Sequence, residues 1–244
     1  AGASTVAVNL AVAIRDETKQ RVVLIDANLE FGDVGVLLNL PSSRTIAEAT
    51  GDKTEIDADL VDGTLASHTS GIKVLLAPPR PEMAELVKTE HMKKIMEVLL
   101  HSSDYVVVDL WKSFSEATIY FLDLANLIVL VSTSDIPSIK NAKLFFELTD
   151  ALGYPPEKTR FVLNKEDGRS GIRPKDIEAS IKHPISVLLP KDERTTTLAI
   201  NRGVPVVTMQ RNAALAQAYV ALARAIVKQL SAEKQPAAAA KAKP

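Results

Sequence analysis

Residues Val22-Val23-Leu24-Ile25-Asp26 and, further along, Tyr105-Val106-Val107-Val108-Asp109 are uninterrupted apolar runs that each end on a carboxylate. Neither run alternates polar with apolar, the pattern of a strand covered on both faces, as at the centre of a parallel sheet. Val74-Leu75-Leu76, Leu127-Ile128-Val129-Leu130-Val131 and Phe161-Val162-Leu163 read the same way. Between these blocks the apolar period becomes that of a helix. Met92, Ile95, Met96, Leu99 and Leu100 form one stripe, and Ile139, Ala142, Leu144, Phe145, Leu148 and Leu152 another. An Ala-rich segment carrying Val6, Val8, Leu10, Val12 and Ile14 opens the chain as a buried helix. Strand and helix in alternation predict an α/β fold: a doubly wound, mostly parallel sheet with helices on both faces.

The 244 residues are enough for a sizeable core. With 29 Lys+Arg against 30 Asp+Glu the net charge is −1, so nothing pulls the whole chain toward nucleic acid or an anionic membrane. The absence of cysteine excludes a disulfide scaffold, a thiolate zinc site and a cysteine nucleophile. His68, His91, His101 and His183 lack metal-ligand spacing. No apolar run reaches the roughly 18 residues that cross a bilayer, and a cytoplasmic location is expected. No repeat or Pro/Gly-rich linker divides the chain, which reads as one domain over 1–231 followed by a disordered Ala/Lys/Pro tail over 232–244.

Ligands of an open parallel sheet bind beyond the carboxyl ends of its strands. The residues there are Asp26-Ala27-Asn28, Asp109 to Ser113, Ser132 to Asp135 and Asn164-Lys165-Glu166-Asp167. The first helix opens with Gly2-Ala3-Ser4-Thr5, whose free backbone N–H groups and positive dipole end suit a phosphate. Its hydroxyls suit Mg²⁺, and a strand-end Asp can hold that metal's water shell. The same Asp is equally a helix N-cap, and four residues of loop are a short match.

Taken in order, Gly2 to Ala11, Val23 to Val34, Leu76-Ala77-Pro78-Pro79-Arg80-Pro81-Glu82, Asp104 to Asp109, Asp135 to Asn141, Val162-Leu163-Asn164 and Ala199 to Pro205 resemble the deviant Walker P-loop ATPases of the ParA/MinD type. Within them, Leu29-Glu30-Phe31-Gly32-Asp33-Val34 and the Pro-rich stretch at 78–81 are similar to the CpaE/TadZ proteins of Flp (Tad) pilus assembly. The resemblance runs from Ala1 to about Leu230. It implies that the chain starts inside the P-loop, with the first strand and the start of that loop absent. ATP and Mg²⁺ are the implied cofactors. Gly2 closes the loop, Ala3 stands at the position of the P-loop lysine, Ser4 is the implied Mg²⁺ ligand and Thr5 an α-phosphate contact. Asp26 and Asn28 fall on the two catalytic switch I positions and Asp109 on the Walker B metal-site Asp. Asn164, Pro190 and Asp192 fall on adenine-contacting positions. A face-to-face homodimer, other pilus assembly proteins as partners, and a place at a cell pole or the inner membrane surface are implied too.

The departures bear on mechanism. Ala3 cannot supply the lysine's point charge, and Asn28 can orient a water but cannot take its proton. Trp111 and Ser113 replace the Pro and Gly that usually follow the Walker B Asp. Losing one comparable charge in phosphoryl transfer is worth about 10³- to 10⁵-fold, so slow or absent hydrolysis is expected. Lys112 is a candidate to restore part of the missing charge, weighed against an ordinary solvated lysine. The alternative function is an active ParA/MinD ATPase whose hydrolysis cycle positions a pilus, division site or chromosome. Asn164-Lys165-Glu166-Asp167 also matches the guanine motif of GTPases, which keeps GTP as a minor reading. The near-neutral charge counts against DNA binding. A membrane-surface role for the last helix, with Leu215, Tyr219, Leu222, Ile226 and Leu230 on one stripe, is less favoured than core packing.

Overall fold

The structure, a computed structural model, describes residues 2–50 and 56–241. In chain order the elements are α1 (Ala3–Thr18), β1 (Val22–Asp26), α2 (Val34–Leu37), α3 (Ile46–Thr50), α4 (Ala58–Thr64), β2 (Ala66–Ser67), β3 (Lys73–Leu75), α5 (Thr89–Ser102), β4 (Tyr105–Asp109) and α6 (Glu116–Leu124). There follow β5 (Ile128–Thr133), α7 (Ile136–Ala151), β6 (Thr159–Glu166), α8 (Pro174–Ile181), β7 (Ile185–Pro190), α9 (Glu193–Arg202), α10 (Val206–Met209) and α11 (Ala214–Lys241). Contacts divide the chain into two compact units: one of residues 3–124 and 194–211, the other of Gly2 with residues 125–193 and 212 onward. Each unit is assembled from separated segments, so no single linker marks the division in the sequence.

The first unit holds a four-stranded sheet in the order β2-β3-β1-β4, with β1 parallel to both β3 and β4 and only the short β2 antiparallel. All five residues of β1 are buried, as its unbroken apolar run requires. Val23 and Ile25 join Leu75, Ile95, Met96 and Leu99 in one core cluster. Val22 and Leu24 point the other way by the two-residue period of a strand and are equally buried, on a sheet against which α1 packs. Helices therefore cover both faces. Residues 6–14 of α1 are all buried. Asn9 in that run is satisfied twice: its Nδ2 donates to the Thr5 carbonyl at 2.8 Å and its Oδ1 accepts from the Val207 N–H at 3.0 Å, fastening α10 to α1. Asp57 caps α4 by accepting from the Leu60 N–H at 2.8 Å.

In the second unit β5, β6 and β7 form a parallel sheet in that order. Asp135 caps α7, accepting from the Ser138 N–H at 2.9 Å. Ile139 and Phe146 of α7, Phe161 and Leu163 of β6, and Ile177 and Ile181 of α8 make the core. β7 was absent from the sequence expectation. It lies at the sheet edge with partial burial that alternates along Ile185 to Leu188, so it lacks the fully apolar run that marks a central strand. α11 packs on β7, and its Leu215, Tyr219, Leu222 and Ile226 are buried, which uses the apolar stripe for packing. Among the described residues no helix is long and apolar enough to cross a membrane. α11 continues to Lys241, so 232–241 is helical where the composition predicts disorder; the four alanines favour helix, against Pro236. Residues 242–244 lie outside the described residues, as does Ala1 of the phosphate loop.

Candidate functional site

Two carboxylates meet at the carboxyl ends of β1 and β4. Asp26 and Asp109 are register partners across the parallel pair and are 1% and 4% exposed. The Ala27 N–H donates to the Asp109 carbonyl at 2.9 Å, extending the ladder one residue past the strand end. Asp26 Oδ1 accepts from the Asn28 N–H at 3.3 Å and its Oδ2 from the Val34 N–H at 3.1 Å, where α2 begins. Burial nevertheless pushes the Asp26 carboxyl up to about 7; those two donors oppose the rise, and the negative charges of Asp109 and Asp33 add to it. Burial also raises Asp109, opposed by a hydrogen bond with the Ser4 side chain and aided by the charge of Asp33.

Asp109 Oδ2 is buried with no hydrogen-bond partner among the described residues. A buried carboxylate oxygen without a donor costs about 1–3 kcal/mol or more, and a cation at that oxygen removes the cost. The donor set is a serine hydroxyl and a carboxylate, hard oxygens of the kind Mg²⁺ selects, so the residues present fit Mg²⁺. Among the described residues there is no group of three or more His, Cys, Asp or Glu able to hold a metal by themselves. A Mg²⁺ at Ser4 and Asp109 would complete its shell with waters and phosphate oxygens, as this ion usually does.

Ser4 stands in the first turn of α1, with Thr5 beside it, where the leading N–H groups have no intrahelical acceptor. The same turn contains no acidic residue, so nothing there repels a phosphate. Ala3 presents only a methyl group at the position of the expected lysine. Lys112 is exposed in the loop after β4. There the Ser113 N–H donates to the Trp111 carbonyl at 2.9 Å, and Trp111 and Phe114 are exposed.

Two features of the site were not singled out from the sequence. A Cβ on Gly32 would lie 2.4 Å from Asp26 Oδ2 and 2.5 Å from Ala77 Cβ, so only glycine lets the loop pass over the carboxylate. Asn28 directs its Nδ2 to the Phe31 carbonyl at 2.6 Å, occupying the amide within its own loop. The glycine signal was present in Phe31-Gly32-Asp33, but only the fold shows what lies beneath it.

The adenine-side candidates lie in the second unit, at the carboxyl ends of β6 and β7. Asn164 is buried, its Oδ1 accepting from the Lys165 N–H at 2.9 Å, and Lys165 adopts a φ of 58°. Gly2, at φ 85°, approaches so closely that a Cβ there would sit 2.9 Å from Asn164 Nδ2. Pro190 pairs in register with Glu166, and the next N–H, of Lys191, donates to the Glu166 carbonyl at 3.0 Å; Asp192 follows, half-buried. Asp167, the last residue of the guanine-like motif, is already engaged. Its Oδ1 accepts from the Arg169 N–H at 2.9 Å and its Oδ2 lies 3.5 Å from Lys191 Nζ, and these contacts hold it below the usual carboxylate range. A guanine-reading carboxylate would need those oxygens for the base.

No family model matches the chain. It is 26% identical over 227 residues to an uncharacterized ATP-binding protein of Methanocaldococcus jannaschii, across 92% of this chain and 83% of that protein. Among solved structures it is similar to a ParA family ATPase from Chlorobium tepidum TLS, with a TM-score of 0.84 and 24% identity over 91% of this chain and 93% of the other. It is also similar to the septum site-determining protein MinD complexed with Mg-ADP from Pyrococcus horikoshii OT3, with a TM-score of 0.80 and 18% identity over 94% and 92% of the two chains. Parallel strands covered by helices, with paired carboxylates at the strand ends, are thus the α/β fold of the ParA and MinD P-loop ATPases.

Proposed function

We propose that this chain is a ParA/MinD-type ATP-binding module of the CpaE/TadZ kind, serving Flp (Tad) pilus assembly and its polar placement, with slow or absent hydrolysis. The observation that carries the nucleotide assignment is the buried Asp109 Oδ2, which has no hydrogen-bond partner among the described residues. Bound there, Mg²⁺ supplies positive charge to phosphate oxygens. Thr5 and the free N–H groups of α1 are assigned to the phosphates. Asp26 holds the loop at the site through two backbone donors. Slow turnover is supported by Ala3, which brings no charge, and by Asn28, whose amide is engaged and which has no carboxylate to accept a proton. The pilus assignment rests on the likeness of Leu29 to Val34 and of residues 78–81 to that group. A homodimer and other pilus components are the partners it entails.

Binding of a fluorescent ATP analogue to the full-length protein, with and without Mg²⁺, tests the site together with a phosphate-release assay. Mg²⁺-dependent binding that Asp109→Ala abolishes, with phosphate release at background, is expected. Turnover at the level of ordinary ParA/MinD ATPases, lost in Asp109→Ala, would replace this function with that of a cycling ATPase. Deleting the gene in the source cell should remove surface pili; intact pili with misplaced division sites would overturn the pilus assignment.

A further inference from the structure

The loop from β1 to α2 is fastened at its start, middle and end by groups of residues 26–34. The Asn28 N–H donates to Asp26 Oδ1 at 3.3 Å, Asn28 Nδ2 donates to the Phe31 carbonyl at 2.6 Å, and the Val34 N–H donates to Asp26 Oδ2 at 3.1 Å. Gly32 lets the chain cross the Asp26 carboxylate at a distance no side chain permits. We propose that Asn28 is a positioning residue that clasps this loop shut without nucleotide, so that the loop's conformation does not follow the phosphate state of the site.

Two physical reasons single out the amide. A carboxylate at 28 has no proton to donate, so it would set two acceptors against the Phe31 carbonyl. It would also add a charge next to Asp26, which accepts from the residue-28 N–H and on which the charges of Asp109 and Asp33 already act. An amide of the same shape avoids both. In many P-loop switches the γ-phosphate orders the loop; here the protein's own donors hold it, so a ligand moves it only by binding another loop conformation more tightly than this one. Phe31, 63% exposed on the clasped turn, is then displayed in one conformation whether or not the site is filled. This rests on the assignment of the phosphates to Ser4 and Asp109.

Hydrogen exchange over residues 26–38 of the full-length protein, with and without Mg²⁺ and ATP, provides the test. In the wild type the loop should exchange within about twofold of the same rate in both states. In Asn28→Asp it should exchange about tenfold faster without nucleotide, the expectation for losing one hydrogen bond of this kind, and should slow when Mg²⁺ and ATP are added. A wild-type loop that gains tenfold protection on adding Mg²⁺ and ATP would overturn the clasp, as would an Asn28→Asp loop that exchanges like the wild type. If Asn28→Asp does not fold, Asn28→Ala removes the donor without adding charge and carries the same expectation. Binding of the fluorescent ATP analogue is followed in the same samples. If none binds, the proposed function fails, while the nucleotide-free comparison of variant and wild type still decides the clasp.

Discussion

Asp26 and Asp109 end neighbouring parallel strands in register, both buried, with two backbone N–H groups bonded to Asp26 and one Asp109 oxygen without a partner among the described residues. Burial disfavours charge on both carboxyls, the charge of Asp109 adds to the effect on Asp26, and a cation bound at Asp109 would offset part of it. The same burial makes the stability of the protein sensitive to pH.

Asp26 binds its proton more tightly in the folded chain, up to about 7, than in the unfolded chain, at about 3.9. Its contribution to stability is thus fully present below about pH 4 and is lost as pH rises through about 7. Urea unfolding of the wild type and Asp26→Asn at pH 5 and pH 8 should show the stability difference moving in favour of the variant by about 2–3 kcal/mol. His68, partly buried, is shifted down and so titrates in the opposite sense, and subtracting the variant removes its contribution. A difference independent of pH would contradict the assignment.

Gly32→Ala should destabilise the protein by about 1–3 kcal/mol, because its Cβ would overlap the Asp26 carboxylate and Ala77. Displacing Asp26 should also weaken binding of the fluorescent ATP analogue. Thermal unfolding and the binding titration, run on the same preparation, check both effects.

Asn9→Ala should cost about 1–3 kcal/mol, since it leaves the buried Val207 N–H without its acceptor. Its effect should fall on the 206–209 segment first, visible as faster exchange there than in β1. Uniform loss of protection across the first unit would show instead that α10 is not an independent attachment.

Ala3→Lys returns a point charge to the opening of α1. Affinity for the ATP analogue should rise about tenfold or more, with a smaller gain in phosphate release because Asn28 still has no carboxylate. Unchanged affinity would mean that the phosphates do not pass over this turn.

The apolar runs at 22–25, 74–76, 105–108, 127–131 and 161–163 located β1, β3, β4, β5 and β6, although β4 and β5 lie at sheet edges and are only partly buried. Hydrophobic period reports local burial, and a strand covered on both faces has the plainest signature of all. β7 escaped because an edge strand with partial, alternating burial does not carry that signature, and the two-residue β2 is too short to have any period.

The apolar runs and their alternation with helical periods were enough for the α/β class, while the roles of Ser4, Asp26 and Asp109 and the alanine at the lysine position came from the resemblance. Folding added the register that sets Asp26 against Asp109, the burial that leaves one Asp109 oxygen without a partner among the described residues, the carboxylate beneath Gly32 and the engagement of Asn28 by its own loop. These depend on which distant backbone groups packing brings within about 3 Å, and a hydrogen bond lost or made over that distance leaves no trace in the periodicity of the chain.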